Sequence, residues 1–346
     1  FPTGFGVYHL PSSSTVRYAS DQAQAVASLG SDSYWDLQFS GSGTKTLGGD
    51  IIIAGDLTIN SGAVLAASTY DIHIWGDWNR DGRSNSAFLP GTGTVIFDGS
   101  TAQEIDITYQ SDAEDFTHVI IQNPSGVSVD NATYEVSHLN ISGDLTITSG
   151  SLNLQNKNLT LGGNLNDNGT LTLGGTVTLD GTSAQSISSD QSFDNLIVNN
   201  ANGVTIADDV TITIASDLTI SSGTLNTGSG TATVIFDGTG EQHIHGSVTF
   251  HNLVKQAGDT LQLNGHVTVT GTLTLTEGII NTSASDLLTI GPDGDVSAGS
   301  VSSYINGPLQ HTENSTTADT KLFPFGSDGV YRPITLNLTQ ADATTR

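Results

Sequence analysis

The run Asp77-Trp78-Asn79-Arg80-Asp81-Gly82 carries the most defined chemistry in this chain. Oxygen-bearing side chains at the first, third and fifth positions, with glycine at the sixth, are how a tight loop gathers ligands around a hard cation. The spacing predicts a calcium loop with Asp77, Asn79 and Asp81 as ligands and Asn85 as a further oxygen donor. The twelfth position is Phe88, so the bidentate Glu of a full calcium loop is missing. The same residues also read as a polar turn between two stretches of strand. A second constellation is Glu241-Gln242-His243-Ile244-His245. Period two puts Glu241, His243 and His245 on one strand face, an arrangement zinc can use. A related phrase holds Ala184, Ser186 and Ser188 at these positions, which favours solvent-facing strand residues over a zinc site.

Three further sets of residues bear on function. Carboxylates are numerous enough that pairs at glycosidase-like separations arise by chance. A carbohydrate-cleaving β-helix would combine them with Lys or Arg on one face, and only Arg80 and Arg83 lie in a dense acidic cluster. A carbohydrate-active surface would gather Trp75, Trp78, Arg80 and Asp81 into a single groove. Thr272, Thr274 and Thr276 share a face and could order water, but Thr is also a favourable outward strand residue. No catalytic residues are assigned, and the chain reads as a non-enzyme.

The elements that must position these residues come from repeated phrases. Thr15–Val26, Thr94–Ile105, Thr176–Ile187 and Thr233–Ile244 are variants of one another, and each is followed by a Phe- or Tyr-led phrase (from Tyr34, Phe116, Phe193 and Phe250) and by a DLTI-like phrase. Within and between them Leu, Ile and Val alternate with Thr and Asn in bursts of four to six residues, the pattern of half-buried strands. Gly, Asn, Asp and Ser punctuate the bursts as turns. The phrases start 79, 82 and 57 residues apart. Gain or loss of whole coils of roughly 20 residues accommodates that variation, because each coil buries its apolar face only on its neighbours. The expectation is therefore an all-β fold, a parallel β-solenoid (β-helix) of four divergent repeats over residues 15–300. Residues 1–14 read as an N-terminal cap. Residues 301–346, richer in Pro, read as a C-terminal cap or the start of a second, non-solenoid β-domain. Phe116, Phe193 and Phe250 recur at one position and read as core.

Composition narrows the partners. The 346 residues include 35 acidic and 9 basic side chains, a formal net charge of -26, which opposes binding to nucleic-acid phosphate and to anionic membranes. It suits a soluble surface that attracts cations. There is no Cys, hence no disulfide and no thiolate metal site. No apolar run approaches the roughly 20 residues that span a bilayer, so membrane insertion is not expected. The absence of an initiator Met and of a leader suggests a mature chain or an internal piece.

The combination Asp144–Ile147, Ser149–Leu154, Asn158–Gly163, then Gly175–Ile187 and Phe193–Asn200, resembles the repeats of very large secreted, adhesin-like surface proteins of Bacteroidetes-type bacteria. The terminal phrases Tyr304–Leu309 and Phe323–Leu336 are similar to that family too. The resemblance implies an extracellular, cell-surface location, a stalk-like, filament-forming or surface-layer role, and partners that are other copies of the chain, other surface proteins or glycans. Many such proteins leave the cell by the type IX route, which uses a C-terminal sorting domain. None lies within residues 1–346, so either it follows Arg346 or export takes another route. Calcium is the one cofactor expected.

Overall fold

The computed structural model describes residues 10–81, 87–107, 114–129, 138–227, 230–313 and 319–338. Every regular element among them is a β-strand. The chain divides into two compact units, Phe1–Thr176 and Val177–Arg346. Both are built of parallel β-solenoid coils, about 13 turns in all.

In the first unit, one face is an eight-stranded parallel sheet beginning Thr15–Tyr18, Asp36–Phe39, Leu57–Asn60, Trp78–Asp81 and ending at Thr170–Thr172. Each strand belongs to one coil and pairs with its equivalent on the next: Leu37 beside Leu57, Leu57 beside Trp78, Trp78 beside Ile105. A second face stacks Ile51–Ile53, Ile72–Ile74, Thr94–Phe97 and His118–Ile121 in the same way. Alternation does the sorting. Leu145 and Ile147 are buried while Thr146 between them is half-exposed, as a pleated strand with one face on a core requires. Where a coil has room, aromatic rings fill it. Trp78 packs edge-on against Phe88 and Phe116, with centroids 4.8 and 5.1 Å away.

The second unit repeats this construction. A six-stranded parallel sheet includes Gln191–Phe193, Thr211–Ile214, Thr233–Phe236 and Asn252–Lys255, and a four-stranded one ends at Leu309–His311. Parallel pairing therefore runs past residue 300. The antiparallel pairs Asp319–Phe323 with Ile334–Leu338, and Gly326–Ser327 with Val330–Tyr331, come after it. This hairpin is fastened to the last coil by two tyrosines: Gly329 N–H donates to the Tyr304 hydroxyl, and Gly299 N–H to that of Tyr331. Of the segment expected to cap the N-terminus, residues 1–9 lie outside the described residues. Phe116, Phe193 and Phe250 are buried, as their recurrence suggests. The threonine face does not extend into an array, since Thr274 lies beside Val254 and Thr272 beside Asp295 on neighbouring coils.

The coils enclose polar groups that must be paired, because an unpaired buried donor or acceptor costs about 1–3 kcal/mol. Gln103 is buried; its oxygen accepts from Gly99 N–H and from Asn123 Nδ2, and its Nε2 donates to the carbonyls of Ile74 and Gly76. Gln185 and Asn200 form the same pair, with Gly181 N–H as the turn donor. At Gln242 the partner is the Lys255 ammonium, which also reaches the carbonyl of Ala257. Lys45, equally buried, donates to the carbonyls of Ser20, Gly41 and Gly43. Burial pushes both lysines below the usual ammonium pKa.

Gly76 shows how tightly coils approach. A Cβ there would lie 2.4 Å from Gly55 backbone atoms, closer than van der Waals contact permits. Gly76→Ala should cost about 1–3 kcal/mol as overpacking, a drop in melting temperature of several degrees. Gly240→Ala, where a Cβ meets nothing within 4 Å, should leave the melting temperature unchanged in the same measurement.

Candidate functional site

Solenoid corners are where outward side chains of successive coils come together. One corner of the first unit carries Asp36, Asp56, Asp77 and Glu104 on four consecutive coils. Asp56 N–H donates to Asp36 Oδ1, Asp77 N–H to Asp56 Oδ1, and Glu104 N–H to Asp77 Oδ1, at 3.1, 2.8 and 2.8 Å. Each carboxylate closes a backbone gap in the coil above it, where the strand ladder has not yet begun. The neighbouring residue is Gly55 or Gly76 because no Cβ fits there. The Gly-Asp pairs at Gly55–Asp56 and Gly76–Asp77 thus have a physical reason at each letter.

Of the calcium loop expected at Asp77–Gly82, the structure describes the part up to Asp81. Trp78–Asp81 is a strand, paired on both sides in parallel. Extended backbone spreads Asp77 and Asn79 along a face instead of wrapping them around a point. Asp77 is committed to the corner column, and Trp78 and Arg80 are buried in the coil interior. The Asp81 side chain, Gly82, Arg83 and Asn85 lie outside the described residues. With Trp78 and Arg80 facing inward, the groove of Trp75, Trp78, Arg80 and Asp81 does not form.

A different pair of tryptophans does share a surface. Tyr34, Ile53, Ile74 and Phe97 are neighbours in the ladder, so Trp35, Ala54, Trp75 and Asp98 follow one another at the next corner. Trp35 and Trp75 are exposed, 38% and 43%. They stand two coils apart, about 9.6 Å from the ladder spacing, with the small Ala54 between them. They line a cleft of about 560 Å³ together with Gly76, Asp98, Ser100 and Thr101. His73 Nδ1 holds Asp98 Oδ2 at 2.8 Å. The sequence signal for Trp35 was its distance of two coil lengths from Trp75.

In the second unit a groove of about 460 Å³ is lined by Glu241, Asp259 and Glu277. Burial lowers the Lys255 pKa, and the charges of Asp237, Asp259 and Glu277 partly offset that effect. Beside it, Gln242–His245 is a strand with Gln242 and Ile244 buried and His243 and His245 half-exposed. Glu241 precedes the strand and does not join the two histidines. Asp217 does: its Oδ1 accepts from His243 N–H at 2.8 Å and lies 3.2 Å from His243 Nδ1. Asp217 belongs to the coil before, 26 residues away, and only the coil register reveals the contact. In comparisons with protein-family models, curated proteins and solved structures, nothing matches the chain.

Burial raises the Asp77 pKa, and the Asp56 charge adds to the rise, against the Glu104 N–H bond that lowers it. A carboxylate with a raised folded-state pKa contributes stability that is complete below its unfolded pKa and is lost as pH rises through the folded one. Asp77→Asn keeps the oxygen acceptor and removes the charge, so it should melt about 1–2 °C higher at neutral pH, with the gain vanishing below the carboxylate range. Asp77→Ala loses the hydrogen bond, worth about 1 kcal/mol, and should melt lower. Thermal melting at two pH values separates these outcomes.

Proposed function

We propose that this chain is a structural and adhesive segment of a bacterial extracellular surface protein, acting as a stalk, filament or surface-layer subunit. The carrying observation is where its few basic side chains go. Lys45 and Lys255 tie coil interiors together, Arg80 is buried, and Lys321 bridges Glu313 and Asp319 beside the terminal hairpin. These four of the nine basic side chains hold coils or the terminal hairpin, while Arg17 and Arg332 are exposed and Lys157 is half-exposed. What remains outside is an acidic, Thr- and Asn-rich surface on hydrogen-bonded ladders. The finer organisation belongs to the same reading: four divergent copies starting near residues 15, 94, 176 and 233, with the cap or second β-domain expected from 301 entered only after the parallel strands Ile305–Asn306 and Leu309–His311. Divalent cations, calcium first, fit this reading as counterions that relieve the repulsion of a -26 chain. Antibodies raised against the chain should label intact producing cells, and protease added outside should remove the label. A signal found only after lysis would overturn the proposal.

The Trp35–Trp75 cleft favours a second reading, glycan binding. Two exposed indoles on positions two coils apart offer apolar surface on which pyranose rings can stack, with Asp98 lining the same cleft. Soluble glycans should shift the fluorescence of the exposed tryptophans. Trp35→Ala and Trp75→Ala should each weaken binding by about 10-fold, the effect of losing roughly 1.4 kcal/mol. A panel of glycans that leaves the fluorescence unmoved would remove this reading and leave the structural one standing.

A further inference from the structure

Strand Gln242–His245 places two imidazoles on one face, alternating with the buried Gln242 and Ile244. Their rings lie nearly parallel, 5.3 Å apart at the centroids with an interplanar angle of 12°. The coil before brings Asp217 beneath them, because Leu218 pairs with Ile244 and Thr219 with His245. One donor atom from each of Asp217, His243 and His245 lies within 4.8 Å of the others. The coil after brings Gln262 beside His243 and Asn264 beside His245, with Asn264 Nδ2 3.3 Å from His245 Nδ1.

We propose that Asp217, His243 and His245 form a binding site for a divalent first-row transition metal, specifically Zn²⁺. Zinc bonds to imidazole nitrogen and carboxylate oxygen are about 2.0–2.2 Å, which sets tetrahedral donors about 3.3 Å apart. The three donors already lie within 4.8 Å of one another on half-exposed side chains, so a small side-chain adjustment would close the remaining distance. The His243 N–H holds Asp217 Oδ1 at 2.8 Å, which orients the carboxylate and leaves Oδ2 for the ion, as outer hydrogen bonds orient metal ligands generally. The fourth position falls to water or to the Asn264 amide oxygen. The donor set selects the metal. Imidazole suits Zn²⁺, Ni²⁺ and Cu²⁺, whereas Ca²⁺ and Mg²⁺ take oxygen cages. The site is separate from any calcium held by the acidic surface, and it stands whether or not the chain is a surface stalk. One ion here would clamp two adjacent coils of the second unit.

The full chain, stripped with chelator, is titrated with Zn²⁺ by calorimetry in excess Ca²⁺, which occupies general carboxylate sites. The expected result is one Zn²⁺ per chain, a higher melting temperature with zinc, and a four-coordinate visible spectrum when Co²⁺ is substituted. The variants His243→Ser and His245→Ser place the residue types found at Ser186 and Ser188 of the related phrase, so the strand should still form, as circular dichroism would verify. Each should weaken zinc binding by about 10-fold or more, as should Asp217→Asn, while His73→Ser in the first unit should not. Zinc binding that survives in the folded double serine variant, or no binding above the Ca²⁺ background in the parent chain, would overturn the proposal.

Discussion

The fold depends on one constraint: every coil must hand its backbone N–H groups to the coil beside it, at the corners as well as along the strands. Strands satisfy this by parallel pairing. Corners have no ladder, so a side-chain oxygen takes over. Asp36, Asp56 and Asp77 do this in one column. Asp50 and Asp71 do it for Asp71 and Thr94 on another, and in the second unit Asn195 and Asn252 accept from Asp217 and Thr272. Asn and Asp serve equally because each carries a carbonyl-type oxygen at the same reach. His118 Nδ1 can substitute, accepting from Asp144 N–H. Corner contacts span 18 to 27 residues, so coil length varies while the closing contact is preserved.

The same constraint gives part of the negative charge a structural task. A carboxylate oxygen that accepts a backbone N–H is favoured by the peptide dipole it faces, although at Asp77 burial outweighs that bond. Asp36, Asp56, Asp71 and Asp77 all do such service. The interior shows the converse arrangement. Gln103, Gln185 and Gln242 sit at equivalent places and turn their amides onto turn or ladder groups. Their partner is Asn123, Asn200 or the Lys255 ammonium. A lysine in a core is tolerable only with such acceptors in place, since an unpaired ammonium there would be far costlier than the hydrogen bonds gained.

Most of the architecture was legible because a period of two is a strong local signal: Leu145, Thr146 and Ile147 announce in three letters which side is core. Spacing between phrases exposed the coil, since Trp35 to Trp75 or Asp56 to Asp77 is a whole number of turns. The candidate sites were less legible. Asp77, Asn79 and Asp81 match a loop pattern, yet period two outweighs it once Leu57 and Ile105 flank Trp78 in the ladder. Trp78 and Arg80 went inward for the same reason. The Gln at the tenth place of every Thr-Val phrase was visible but silent, because a recurrent polar residue gives no sign of being buried, as Gln103, Gln185 and Gln242 are. Asp217 was invisible beside His243, as contact between coils depends on a register that no local pattern states.

Corner and face positions thus carry two independent assignments. The backbone asks each corner for an acceptor, and Asp77 and Asp217 both meet that demand, one for Glu104 and the other for His243. What the following strand then displays is unconstrained by the ladder: Glu104 and Asp106 follow one of them, His243 and His245 the other. Chemistry can change at these outward places without disturbing a single backbone bond, because the side chains alternate with Ile105 or Ile244, which keep the core. A solenoid of this kind separates stability from display along one strand, and whether that strand shows carboxylates or imidazoles becomes a choice of two residues.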